Sequence, residues 1–184
     1  MVRTVATLVG SLRKESYNRK MAGALAGLAP ERQRLGVVEI GALPHNDEDL
    51  EREGPPAEWL KFRQEVRAAD AVLFVTPEYN RSVPGVLKNA IDVGSRPYGQ
   101  SVWNGKPGAV VSVSPGAIGG FGANHHLRQS LVFLNVPVLQ QPEAYVGGAA
   151  TLFGDNGAIA NEGTARFLTG FMTAFADWID KVLA

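Results

Sequence analysis

The chain has 184 residues, 18 basic against 18 acidic side chains for a formal net charge of zero, and no cysteine. A domain of about 150 residues already buries roughly 70% of its unfolded surface, so one domain over residues 1–184 is expected. Neutrality removes the cationic field that would draw the protein to nucleic acid or anionic lipid, and the missing cysteines exclude disulfides, zinc–thiolate centres and thiol catalysis, leaving any redox chemistry to a cofactor. No stretch approaches the roughly 20 apolar residues of a membrane span, and MVRTVATLVG is a poor signal peptide, so the expected setting is the cytoplasm.

The first apolar run, Val2–Val9, reads as a strand; a hydroxyl-rich turn from Gly10 then leads into a helix whose Met21, Leu25 and Leu28 share a face. Leu35–Ile40 is the second strand. The polar insert from Leu43 to Pro56 is expected as a surface loop. Trp59, Phe62 and Val66 mark another helix, followed by the strand Ala71–Thr76, almost wholly apolar as a strand covered on both faces should be. A loop from Pro77 to Gly85 precedes a helical Val86–Asp92. Ala109–Ser114 is the fourth strand, and a glycine-rich turn then opens a helix with Leu127, Leu131 and Leu134 on one stripe. A short fifth strand is expected near Val136–Leu139. A last helix carries Phe167, Phe171, Phe175, Trp178 and Val182, an aromatic stripe assigned to the core. There is no internal repeat, low-complexity run or linker. Strands alternating with helices predict a doubly wound, five-stranded parallel sheet with helices on both faces.

In such sheets ligands bind beyond the carboxyl ends of the strands, near the switch in strand order. The loops after strands one, three and four therefore matter most. The first contains Ser11, Arg13, Ser16 and Asn18; Ser16 is suited to cap the helix, and free N–H groups at a helix N-terminus favour an anion. It lacks the GK[ST] ending of a triphosphate-binding loop and the G-x-G-x-x-G of a dinucleotide site, so a single terminal phosphate suits it better. The bland alternative is an ordinary capped helix.

In the second loop, Pro77 and Pro84, the latter beside Gly85, restrict the backbone, so its amides can be held in fixed directions for a flat heteroaromatic ring. Glu78 reads either as a general base or as a brace for the loop. Ser114 to Gly122 is a glycine-rich turn that permits close approach of a flat ligand, a weak signal by itself. His125 and His126, adjacent on a helix, point about 100° apart and cannot chelate one metal together, and Ser114 lies in no G-x-S-x-G elbow. Neither a metal site nor a catalytic triad is expected.

Gly10-Ser11-Leu12-Arg13-x-x-Ser16-x-Asn18-Arg19 forms one matching block, and Pro77-Glu78-Tyr79-Asn80-x-Ser82-x-Pro84-Gly85-x-Leu87-Lys88-Asn89-Ala90-Ile91-Asp92, followed by Ser95-Arg96-Pro97, forms a second. With Gly116-Ala117-Ile118-Gly119-Gly120 and His126-Leu127-Arg128-Gln129, they closely resemble the NADPH-dependent FMN reductase family, which includes chromate, quinone and azo-dye reductases. The resemblance implies a flavodoxin-like fold and non-covalent FMN. It also implies homodimers that pair into homotetramers, with the active site near the dimer interface. Ser11, Arg13, Ser16 and Asn18 would then hold the FMN phosphate, and Pro77, Glu78, Tyr79, Asn80 and Ser82 the ring and ribityl chain. Ser114, Gly116, Gly119 and Gly120 would border the ring. Flavin N5 would carry the chemistry with no catalytic side chain, by ping-pong hydride transfer from NADPH or NADH to small-molecule acceptors: quinones, azo dyes, chromate or free flavin. Arg19, Arg81 and Arg96 are candidates for the 2′-phosphate of NADPH. The alternative is a flavodoxin-like FMN electron carrier without its own NAD(P)H site. The chain departs from the family pattern at Gly122 and His125, where chromate-reducing members carry an arginine and a tyrosine of the tetramer contact. It also lacks the Trp frequently found after Asp92.

Overall fold

The computed structural model of the protein describes residues 1–154 and 156–184. Strands β1 (Arg3–Val9), β2 (Gln33–Val37), β3 (Ala71–Thr76), β4 (Gly108–Val113) and β5 (Ala144–Val146) form an all-parallel sheet in the order β2-β1-β3-β4-β5. That order is the flavodoxin-like winding, with its switch between β1 and β3. Helices α1 (Tyr17–Leu28) and α6 (Glu162–Val182) cover one face, and α3 (Ala57–Ala68), α4 (Gly85–Gly94) and α5 (Phe121–Phe133) the other.

The two-residue period of a strand sorts the core. Leu73 and Val75 of β3 and Val111 and Val113 of β4 pack with Met21, Leu25, Phe171 and Phe175. Val72, Phe74 and Val110 pack with Trp59, Phe62, Leu87, Ile91 and Leu127. Every residue of β3 and β4 is buried, as the apolar runs predict for central parallel strands. The three tryptophans are pinned by their indole N–H groups, which donate to backbone carbonyls: Trp59 to Pro44 at 2.9 Å, Trp103 to Ile91 at 2.9 Å and Trp178 to Pro137 at 2.7 Å. Each ring thereby joins a helix or a loop to a neighbouring segment without leaving a buried donor unpaired.

Three expectations are corrected. Val136–Leu139 is not the fifth strand. Val138 makes only an isolated bridge to Gly108, where Leu139 N–H donates to the Gly108 carbonyl at 2.8 Å, and true pairing with β4 resumes at Ala144 opposite Val111. Pro137 and Pro142 flank the break and have no N–H to give a ladder, so the chain makes an outward excursion between the two segments. The polar insert is not all loop either: Glu48–Glu53 forms helix α2, capped by Asp47, whose side chain accepts the Asp49 N–H at 2.8 Å. In α6 the buried line is Leu168, Phe171, Met172, Phe175 and Ile179, while Phe167 stays 42% exposed, because the stripe drifts around a helix of 21 residues.

Helix α2 buries no residue of its own and, besides a long 3.9 Å contact of Glu48 with Arg96, is held by one close ion pair. Arg63, 3% exposed, donates to both oxygens of Glu51, lies over the Trp59 ring at 5.5 Å, and gives its Nε–H to the Val93 carbonyl at 2.9 Å. A single guanidinium thus ties α2, α3 and α4 together. Arg63→Ala should lower unfolding stability by about 3 kcal/mol, since it strands the Glu51 carboxylate and the Val93 carbonyl. A shift of the urea midpoint equivalent to under about 1 kcal/mol would show that this pair is only a surface contact.

Candidate active site

The exits of β1 and β3 are fused by backbone contact. Gly10 N–H donates to the Val75 carbonyl at 2.9 Å, and a Cβ on Gly10 would meet Pro77 Cδ at 3.1 Å and Thr76 Oγ1 at 3.2 Å. The missing side chain eases this close approach of the two loops. Between them lies a groove of about 470 Å³ whose lining includes Gly10, Leu12, Arg13, Tyr79, Pro84 and Gly85.

On its β1 side the groove adjoins the start of α1. Ser16 caps the helix, its Oγ accepting the Arg19 N–H at 3.2 Å. Ser11, Ser16 and Asn18 are buried, at 4%, 2% and 4% exposure. Among the described residues, the backbone N–H groups of Ser11, Leu12, Arg13, Tyr17 and Asn18 find no protein acceptor, and the buried Oδ1 of Asn18 has no partner. Arg13 is exposed and has no carboxylate within ion-pair distance among the described residues. Unpaired N–H groups, a helix N-terminus and an unneutralised guanidinium together favour a dianion.

The three arginines expected as candidates for a nucleotide phosphate are engaged elsewhere. Arg19 makes a two-pronged bond to Glu39 at 2.8 Å on both arms. That bond pushes the guanidinium up and holds the Glu39 carboxyl below its usual range. Arg81 pairs with Glu78 at 3.3 Å, and Arg96 sits 3.9 Å from Glu48.

The β3 loop is a tight hairpin turn. Tyr79 and Ser82 exchange backbone bonds at 3.1 and 3.0 Å, with Asn80 at φ 51° and Arg81 at φ 65° between them. Two left-handed residues are what a type I′ turn demands, and for Arg81 that conformation costs about 1 kcal/mol. The turn leans on α5: Glu78 Oε2 accepts the Ala123 N–H at 3.1 Å, and Ser82 Oγ lies 2.8 Å from His126 Nδ1. Glu78 is therefore a brace, with both carboxylate oxygens occupied by protein donors. The N–H groups of Glu78, Asn80 and Arg81 are left without protein acceptors among the described residues.

The β4 loop follows at the same edge. Ser114 Oγ accepts the Gly116 N–H at 3.2 Å, and Gly116 is exposed. Gly119 and Gly120 are buried instead, at φ 61° and 78°. A Cβ on Gly119 would stand 2.6 Å from the Tyr145 carbonyl carbon, so this glycine lets the loop press onto β5. Buried Asn124 fixes the start of α5 on the sheet, donating to Ser112 Oγ and the Ala144 carbonyl at 3.3 Å each.

Arg13 and Tyr79 thus share the groove, while Ser11, Ser16 and Asn18 gather at the α1 N-terminus. Pro77, Glu78, Asn80 and Ser82 build the adjoining turn, and Ser114 and Gly116 form the far rim. Gly119 and Gly120 lie buried next to that rim, against β5 and β4. Sequence reasoning missed a cluster beside it, where Phe121, His125 and Tyr145 pack with ring centroids 4.2 to 5.9 Å apart. His125 Nε2 lies 2.9 Å from the Tyr145 hydroxyl, whose pKa is pushed up to about 12 by burial and by Glu143. The Phe121/His125 spacing of four residues was the available signal, but the strand partner at 145 was hidden by the misplaced fifth strand. A larger hollow, about 610 Å³, lies away from the three loops between α1 and Asn156–Ile159 and gathers no comparable polar array.

Residues 3–151 match the family model of NADPH-dependent FMN reductases. Over 178 residues the chain is 67% identical to a quinone reductase of Pseudomonas putida, covering 97% of this chain and 95% of that protein. It is 45% identical to a 2-hydroxy-1,4-benzoquinone reductase of Burkholderia sp, with 97% of each chain covered. Among solved structures it superposes on FerB, a flavoenzyme NAD(P)H:(acceptor) oxidoreductase from Paracoccus denitrificans, with a TM-score of 0.93, 46% identity and 98% of each chain covered. With its parallel sheet and donor-rich loop edge, the chain belongs to the NADPH-dependent FMN reductase family and is an oxidoreductase whose cofactor is FMN and whose reductant is NAD(P)H.

Proposed function

We propose that the protein is an NAD(P)H:quinone reductase that works by ping-pong exchange at the groove between the β1 and β3 loops. The observation that carries this reading is Arg13, a cation without an acid partner among the described residues, on a groove flanked by N–H groups that have no protein acceptor there. The residues fit FMN. Arg13 and the unpaired N–H groups at the start of α1 would hold its phosphate. Identity with quinone reductases supports quinones as the acceptor class.

FMN, when bound, supplies two-electron chemistry between NAD(P)H and the acceptor. The protein's part is positional and electrostatic. Pro77 and Pro84 stiffen the β3 loop, and the free N–H groups of Glu78, Asn80 and Arg81 offer fixed dipoles in the manner of an oxyanion hole. With Glu78 committed to Ala123 and Arg81, no side-chain base is required. Exposed Tyr79 and Gly116 leave the edge open for the reductant and acceptor to enter in turn. Azo dyes, chromate and free flavin are secondary acceptors in this reading. The protein works as one cytoplasmic domain assembled into homodimers.

Arg13→Ala should weaken FMN binding by at least about tenfold, the loss of a charge-assisted contact to phosphate; an unchanged dissociation constant by flavin fluorescence would move the phosphate elsewhere. Anaerobic mixing of the holoprotein with NADPH should bleach the yellow flavin band within a turnover. In an acceptor panel ranked by kcat/KM, 1,4-benzoquinones should stand above azo dyes and chromate, and the reverse order would overturn the acceptor assignment.

A further inference from the structure

The β3 turn holds two residues in the left-handed region, and neither is glycine. A conformation of that kind persists only where its surroundings over-determine it. Three attachments do so, all to the first turns of α5. A Cβ on Gly122 would meet the Arg81 carbonyl oxygen at 3.0 Å, Ala123 N–H donates to Glu78, and His126 bonds to Ser82. Asn124 anchors those turns of α5 to β4 and β5. Of the three attachments, the His126–Ser82 bond is the one that grips the turn at its closing residue.

We propose that His126 is a positioning residue for the active site, acting through Ser82. Ser82 exchanges both backbone bonds with Tyr79, and Tyr79 lines the groove beside Arg13. The imidazole thus sets the turn that places Tyr79, although His126 lies on another helix and lines a separate hollow with Ser82, Val83, Lys88 and Gln129. Lys88 in that hollow is neutralised by Asp92 at 2.8 Å, so no free cation competes for Ser82. Either neutral tautomer maintains the bond, as donor or as acceptor. His126 is exposed, so its truncation removes the bond without opening the core.

The inference rests on reading the groove as the FMN site, and the test separates the two. His126→Ala should weaken FMN binding about fivefold and, in the full-length chain stripped of FMN, speed tryptic cleavage after Arg81. His126→Asn, whose amide reaches the position of Nδ1, should restore both to within about twofold. In a Ser82→Ala background, His126→Ala should add nothing further. Unchanged cleavage in His126→Ala, failure of the Asn variant to rescue, or an additive loss with Ser82→Ala overturns the proposal. Faster cleavage with unaltered FMN affinity, while Arg13→Ala does weaken binding, overturns it and leaves the groove assignment standing. Unaltered FMN affinity in both His126→Ala and Arg13→Ala removes the groove assignment and this inference together.

Discussion

Strands β3 and β4 have every residue shut off from water, and that burial governs the rest of the molecule. A parallel strand covered on both faces needs a crossover after each strand, and right-handed crossovers place consecutive helices on one side until the winding reverses. The reversal between β1 and β3 leaves the loops after those strands diverging to opposite faces, with a crevice between them. The functional loops meet because the core permits no other arrangement of the connections, and the ligand site is a consequence of sheet topology.

Within that crevice the chemistry depends on which polar groups the fold leaves unpaired. Most backbone donors in a folded chain are consumed by helices and ladders, yet N–H groups at the β1 exit and in the β3 turn are left free at one edge. The charged side chains show the same selectivity. Arg19, Arg63, Arg81 and Arg96 each have a carboxylate partner, while Arg13 on the groove has none among the described residues. Glu78 reads as a possible base in isolation, but its geometry makes it part of the scaffold, because the N-terminus of α5 supplies an N–H that a carboxylate satisfies well. The redox reaction is left to the cofactor, and the protein's role is to hold donors in place.

The errors of the sequence reading share a cause. Val136–Leu139 has the composition of a strand, and it does run beside β4, but Pro137 within it and Pro142 after it interrupt the ladder, and the pairing that counts lies at Ala144–Val146. Composition cannot tell a segment that touches a strand from one that completes it. The insert at Leu43–Pro56 was legible as polar but not as helical, since α2 has no apolar stripe and is retained by Arg63, a residue ten positions beyond it. Gly119 and Gly120 were legible as glycines in a turn, whereas their burial against Tyr145 of β5 and Ser112 of β4 depends on how the turn settles on the sheet.

The sequence by itself determined the strand and helix alternation, the buried central strands, the capped turn at Ser16 and the three loops where a ligand could lie. These follow from periodicity and from residue types that act within a few positions of themselves. Tertiary structure alone decided that Arg13 has no carboxylate partner among the described residues while Arg19 has one. It also decided that Glu78 and Ser82 answer to Ala123 and His126, and that Phe121, His125 and Tyr145 form one cluster. Each of these depends on contacts across 20 or more residues. Such contacts are set by how helices settle on the sheet, which local patterning does not encode.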